Sequence, residues 1–115
     1  MNRAKASGKL AEALCADYLQ ARGLRLIARN YSCRLGELDL ILADGPALVV
    51  AEVRLRRNRD YGGAAASITA AKRQRILRAA RHYLSSRPEQ PCRFDVMLLD
   101  ALDPDHIEWI KDAFG

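Results

Sequence analysis

The chain has 115 residues, of which 50% are hydrophobic and 29% charged, a composition that fits one soluble globular domain and excludes a disordered tail. A chain of this length buries roughly 65% of the area its unfolded form exposes, so neither disulfides nor a structural metal is needed as a staple. Its charge is +5, and its longest uninterrupted apolar run, residues 47–51, is far too short for a membrane-spanning helix, which needs about 20 apolar residues.

In chain order, residues 7–22 read as a first helix, with Leu10, Leu14, Tyr18 and Ala21 at helical spacing, Cys15 and Leu19 widening the stripe, and Gly23 placed to end it. No long apolar stretch with a small-residue cleavage site precedes this pattern, so a secretory signal is not expected. Residues 24–31 predict a strand through Leu24, Leu26 and Ala28. Residues 37–43 and 48–54 are rich in strand formers and flank Asp44-Gly45-Pro46-Ala47, which predicts a β-hairpin. Residues 60–66 contain Gly62-Gly63 and read as a loop able to approach a ligand closely.

Ser67 or Thr69 can cap a second helix running to about Ser86, with Ile68, Ile76, Ala79, Ala80, Tyr83 and Leu84 on one side and Gln74, Arg75, Arg78, Arg81 and His82 on the other. After Pro88 and Pro91, residues 94–99 form a short apolar strand, and residues 107–110 are either a last edge strand or a docking segment. The order α-β-β-β-α-β implies an α/β fold, a mixed sheet flanked by helices. Cys15, Cys33 and Cys92 stand far apart in odd number, which reads as three buried free thiols in a reducing cytoplasm. His82 and His106 have no matching partners for a metal or a proton relay and read as surface histidines.

Charge is uneven along the chain. Residues 1–52 carry seven Lys and Arg against six Asp and Glu, residues 53–93 eleven against two, and residues 94–115 one against six. A basic middle block attracts a polyanion by releasing its counterions, and nucleic acid is the commonest cytosolic polyanion. The alternative is a solubilising helix face that binds nothing. Few aromatics interleave with the arginines, so contact with a duplex backbone fits better than base stacking.

If the hairpin turns on Gly45 and Pro46, opposed residues have numbers that sum to 91, and Asp39 faces Glu52 while Glu37 faces Arg54. One face then carries Glu37, Asp39, Ile41, Val50, Glu52 and Arg54. The other carries Leu38, Leu40, Leu42, Val49, Ala51 and Val53 and belongs against the core. Any odd sum keeps both carboxylates on one face. Two opposed carboxylates repel unless something neutralises them, and Mg²⁺ or Mn²⁺ does so with water and phosphate filling the remaining positions. The Val53 carbonyl could add one more oxygen. An ion network with neighbouring arginines is the other reading.

The motifs Gly36-Glu37-Leu38-Asp39-Leu40-Ile41, Val50-Ala51-Glu52-Val53-Arg54, Ala70-Ala71-Lys72-Arg73-Gln74-Arg75-Ile76 and Arg93-Phe94-Asp95-Val96, in this order, resemble those of the YraN-type uncharacterised bacterial proteins. That family is grouped with the PD-(D/E)xK nuclease superfamily and is similar to archaeal Holliday-junction resolvases. The resemblance implies a restriction-endonuclease-like core in which Asp39 and Glu52 hold the metal and Glu12 is brought to the same site. It places Glu37 in a Gly-Glu-x-Asp motif, where it either binds metal through water or pairs with Arg54. The superfamily has lysine where this chain has Arg54; a guanidinium stays protonated and is no general base, but it can grip a phosphate and offset developing charge.

Lys72 falls inside the apolar arc of its helix and must either snorkel or meet an anion, a phosphate or an active-site carboxylate. With Arg56, Arg57, Arg73 and Arg75 it makes up the expected nucleic-acid contacts. The resulting expectation is a Mg²⁺- or Mn²⁺-dependent endonuclease acting on duplex or branched DNA, with dimerisation implied by the resolvase likeness alone. The alternative is a catalytically weak or inactive nucleic-acid-binding module on the same scaffold.

Overall fold

A computed structural model describes residues 3–55 and 68–115. Its elements are α1 (Arg3–Ala21), β1 (Arg25–Cys33), β2 (Gly36–Asp44), β3 (Ala47–Leu55), α2 (Ala70–Leu84), β4 (Cys92–Leu99) and β5 (Ile107–Phe114), with a short 3-10 turn at Pro104–His106. The expected Gly62-Gly63 loop and the Ser67 cap lie outside the described residues. The five strands form one sheet in chain order, antiparallel except for the parallel pair β3–β4. This is the α/β architecture expected, with two flanking helices among the described residues and one strand more than the six-element order; the tail 107–114 is an edge strand. It is consistent with a restriction-endonuclease-like core.

Local chemistry sets the boundaries. Gly23 adopts φ +96°, and the N–H groups of Gly23 and Leu24 donate to Gln20 and Leu19 carbonyls, both at 3.1 Å, which closes α1 with a left-handed cap. Gly45, at φ +57°, turns the hairpin. The register Leu40↔Ala51 through Asp44↔Ala47 has the expected sum. Thr69 caps α2, its side chain accepting from the Lys72 N–H at 3.1 Å.

The helices cover opposite faces of the sheet. Ala11, Cys15 and Leu19 of α1 pack on Leu40, Leu42, Val49, Ala51, Met97 and Leu99. On the other side, Ile76, Ala79 and Ala80 of α2 pack on Ile41, Leu48, Val50, Phe94, Val96 and Leu98. The middle strands are thus buried on both sides, which is why β3 and β4 read as near-continuous apolar runs.

Three expectations need correction. Leu10 is 56% exposed rather than part of the buried stripe; α1 meets the sheet through the expected Cys15 and Leu19 together with Ala11 and Ala16, whose small side chains let the helix sit close. Leu38 packs with Ile41 beneath α2, not with Leu40 and Leu42. The alternation of β2 breaks between Leu38 and Leu40, where the β2–β3 ladder also ends and where Asn30 of the neighbouring β1 has φ +54°. Of the three free thiols only Cys15 is fully buried; Cys33 and Cys92 are partly exposed.

Asp95 of the Arg93-Phe94-Asp95-Val96 motif is fully buried. Its carboxylate accepts from Arg93 Nε at 3.1 and 3.2 Å, from Trp109 Nε1 at 2.9 Å and from the Asp112 N–H at 2.9 Å. Arg93 continues to Asp44 Oδ2 at 2.8 Å. The β4–β5 register shifts between Phe94 and Val96, and Asp112 has φ +51°. Asp95 therefore takes up a backbone donor that the bulge frees from the ladder. This motif is structural and lies apart from the carboxylate pair of the hairpin.

Candidate active site

The hairpin ladder stops at Leu40↔Ala51. Beyond that point β2 stays paired with β1, through Tyr31↔Leu38 and Ser32↔Glu37. Strand β3 stays paired with β4, from Glu52↔Val96 to Leu55↔Leu99. The sheet therefore forks, and Asp39 and Glu52 sit at the crotch. Their carboxylates replace the missing ladder bonds: the Asp39 N–H donates to Glu52 Oε2 at 3.1 Å, and the Val53 N–H donates to Asp39 Oδ2 at 2.9 Å. Each acid anchors one oxygen on backbone, a side-chain hydrogen bond joins the two carboxyls, and both residues line the cavity that opens beside them.

That cavity has a volume of about 240 Å³; Glu37, Asp39, Glu52, Lys72 and Arg75 supply its charged lining. Gly36 forms its floor beside Ile76. A Cβ on Gly36 would lie 2.9 Å from the Arg75 carbonyl oxygen and 3.3 Å from Arg75 Cβ. The glycine of the Gly-Glu-x-Asp motif is thus what lets the backbone of α2 close onto the start of β2. Substituting Gly36→Ala is expected to push α2 outward and to cost about 1–3 kcal/mol in a urea melt, the usual penalty of overpacking against atoms that cannot yield; an unchanged midpoint would show that the helix moves freely.

Glu52 is 1% exposed. Burial, and then the neighbouring Asp39 carboxylate, push its pKa up to about 8, against a lowering by the Asp39 N–H and by the positive charge of Lys72. Without a cation, the pair is neutralised in part by a proton held on Glu52. Glu12 of α1 is drawn into the same field: burial first and Asp39 second raise its pKa, and its Oε1 is buried with no hydrogen-bond partner. Cys15, one turn further along α1, is pushed up to about 12 by burial, then by Asp39 and Glu12.

The structure thus brings Asp39, Glu52, Glu37, Lys72 and Arg75 around one cavity, with Glu12 within electrostatic reach of Asp39. It does not bring Arg54 there. That side chain is half-buried, its Nε lacks a hydrogen-bond partner, and it does not line the cavity. No ion pair joins Arg54 to the exposed Glu37 among the described residues. Arg73, half-buried on α2, lies with its guanidinium 6.0 Å from the centre of the Phe114 ring. Arg56 and Arg57 lie outside the described residues. His82 and His106 are exposed, as expected, and His82 Nδ1 is 2.7 Å from the Tyr31 hydroxyl.

Among the described residues no three His, Cys, Asp or Glu side chains cluster as a closed metal cage. Two carboxylates with one oxygen each held in place, one of them retaining a proton for want of a counter-charge, form a donor set that fits Mg²⁺ or Mn²⁺ rather than a site demanding four protein ligands. None of the described helices is long and apolar enough to cross a membrane.

Comparison with known proteins gives a consistent result. A family profile described as the uncharacterised protein family UPF0102 matches residues 11–99. A UPF0102 protein of Methylobacillus flagellatus is 53% identical over 111 residues, covering 96% of this chain and 98% of the relative. One of Dechloromonas aromatica is 51% identical, covering 96% and 89%, and one of Nitrosomonas europaea is 47% identical, covering 99% and 98%. A match over most of the chain, from both the profile and the individual relatives, means that this protein belongs to the uncharacterised family UPF0102.

Proposed function

We propose that the protein is a Mg²⁺- or Mn²⁺-dependent endonuclease that hydrolyses phosphodiester bonds of duplex or branched DNA. The observation that carries this reading is the meeting of two inward-held carboxylates with Lys72 and Arg75 at the fork of the sheet. Asp39 and Glu52 would hold the metal, with the Val53 carbonyl as a further donor. The metal supplies Lewis acidity toward a phosphoryl oxygen and lowers the pKa of water. In the hydrolysis an oxygen of water bonds to phosphorus as one P–O ester bond breaks, leaving a phosphomonoester and a hydroxyl end.

The chain's own residues orient and neutralise. Two backbone anchors fix the rotamers of Asp39 and Glu52 before any ligand arrives, so their orientation adds little entropy cost on binding. Arg75, on the exposed side of α2, would meet the flanking backbone, and Arg73, Arg56 and Arg57 are the further phosphate contacts that the sequence offers. A second reading, a binding module with little hydrolytic activity, is favoured by Arg54 standing where the nuclease pattern has lysine and by its position away from the cavity.

The experiment is to incubate labelled four-way junction, linear duplex and single strand with protein in Mn²⁺ or EDTA, beside Asp39→Ala and Glu52→Ala. Cutting that requires Mn²⁺ and falls at least about 100-fold in both variants is the expected result. Tight, salt-sensitive binding with no cutting would establish the binding module instead, and salt-indifferent binding would remove nucleic acid from the account. Sedimentation at several concentrations, with and without junction, tests for the dimer that cutting two opposed strands would use.

A further inference from the structure

Two cations compete for the task of holding the scissile phosphate. Arg54 extends from β3 two residues beyond Glu52 and so shares its side of the strand, yet it does not reach the cavity. Lys72 comes from the first turn of α2, is half-buried, and lines the cavity together with Asp39 and Glu52. Its positive charge is felt by Glu52, but among the described residues its ammonium makes no hydrogen bond or ion pair. An ammonium serving only to compensate an acid would close onto it. This one leaves three donors for whatever enters.

Lys72 is also held in place from two sides. The Thr69 side chain fixes its backbone N–H at 3.1 Å. The contact of Gly36 with Arg75 seats the same helix against β2. Its stem lies in the apolar arc of α2, which restricts it further.

Resting on the phosphodiesterase reading above, we propose that Lys72, from helix α2, is the catalytic cation that grips the scissile phosphate over the Asp39–Glu52 pair, in place of position 54 on β3. Its ammonium binds a non-bridging oxygen. As the fifth oxygen joins phosphorus, charge grows on the non-bridging oxygens, and a fixed cation in a half-buried cavity offsets it more strongly than one in water. Lys72 transfers no proton in this role; it stays charged throughout. The arginine at position 54 is then compatible with full activity, because the strand has ceded its cation to the helix.

The test compares Lys72→Gln, Lys72→Arg, Arg54→Gln and Arg78→Gln, each first shown by circular dichroism and melting to be folded. Three quantities are measured: DNA affinity in EDTA across a salt series, Mn²⁺ binding to the protein alone by calorimetry, and cleavage in Mn²⁺. Lys72→Gln is expected to weaken DNA about tenfold and to reduce the salt slope by about one. It should tighten Mn²⁺ severalfold, because a cation facing the two acids is gone, and slow cleavage about 100-fold. Lys72→Arg restores affinity, while Arg54→Gln and Arg78→Gln lose no more than about threefold. If Lys72→Gln matches Arg78→Gln in affinity and Mn²⁺ binding, or if Arg54→Gln shows the larger losses, the proposal falls while cutting by the unaltered protein leaves the nuclease reading intact. A protein that binds but never cuts overturns the nuclease reading and the catalytic role proposed for Lys72 together. A protein that binds no DNA likewise overturns both.

Discussion

Replacing Glu52 by glutamine is expected to stabilise the metal-free protein at pH 8 and to abolish the metal-dependent cleavage proposed for it. The folded protein holds a proton on Glu52 up to about pH 8, whereas the ordinary carboxyl value is 4.5. Between those values the folded state binds more protons than the unfolded one, so this group's contribution to stability is present in full below pH 4.5 and is lost as pH rises toward 8. The glutamine amide mimics the protonated acid: its oxygen can accept from the Asp39 N–H and its NH₂ can donate to the Asp39 carboxylate. Thermal melts of both proteins from pH 5 to 8.5 should converge at the acid end and separate by a few kcal/mol at the other, a shift of roughly 5 °C or more. Mn²⁺ should raise the melting point of the unaltered protein at pH 8 and leave that of Glu52→Gln nearly unchanged. Parallel curves for the two proteins would show that Glu52 carries an ordinary, ionised carboxylate.

Asp95→Ala is expected to be among the most damaging single changes, at about 3–5 kcal/mol, because it strands the half-buried Arg93 Nε, the Trp109 indole N–H and the Asp112 N–H at once. A melting point lower by roughly 12 °C or more, with Trp109 fluorescence reporting loss of the β4–β5 bulge, would be its signature. Trp109→Phe removes one of these donors and leaves the acid its others, so it should cost far less, about 1 kcal/mol beyond lost packing. The DNA cutting proposed for the protein, measured per folded molecule at low temperature, should survive both changes, since neither side chain borders the cavity. A loss of cutting that exceeds the loss of folded protein would place Asp95 in the site after all.

The hairpin was legible because a two-residue turn fixes register by arithmetic, which holds from Asp44↔Ala47 to Leu40↔Ala51 and brings Asp39 and Glu52 beside each other just past its end. What arithmetic could not show is that the ladder ends there, since the fork arises from strands pairing with their outer neighbours. The burial of Ala11 in place of Leu10 on α1 was hidden for a different reason: hydrophobic periodicity weights large side chains, while close helix–sheet approach selects small ones. Leu38 changed face where the alternation of β2 breaks beside the end of its ladder with β3, a tertiary feature that strand periodicity does not carry. Lys72 was visible as a cation in an apolar arc, but its half-buried place at the cavity depends on how closely Gly36 admits α2. Asp95 carried a signal that could have been read, an acid embedded in an otherwise apolar strand, which in a sheet interior requires several donors.

The reciprocal clasp at the fork makes the two acids one unit. Removing the Asp39 side chain leaves the Val53 amide bare, and removing that of Glu52 does the same to the amide of Asp39. Damage from the first substitution therefore includes part of what the second would have done, and a double-mutant cycle should return a coupling of about 0.5–3 kcal/mol rather than zero. The seam between the two strands thus asks for an acceptor oxygen at both positions, a demand that glutamine at 52 still meets and that is separate from any chemistry at the cavity.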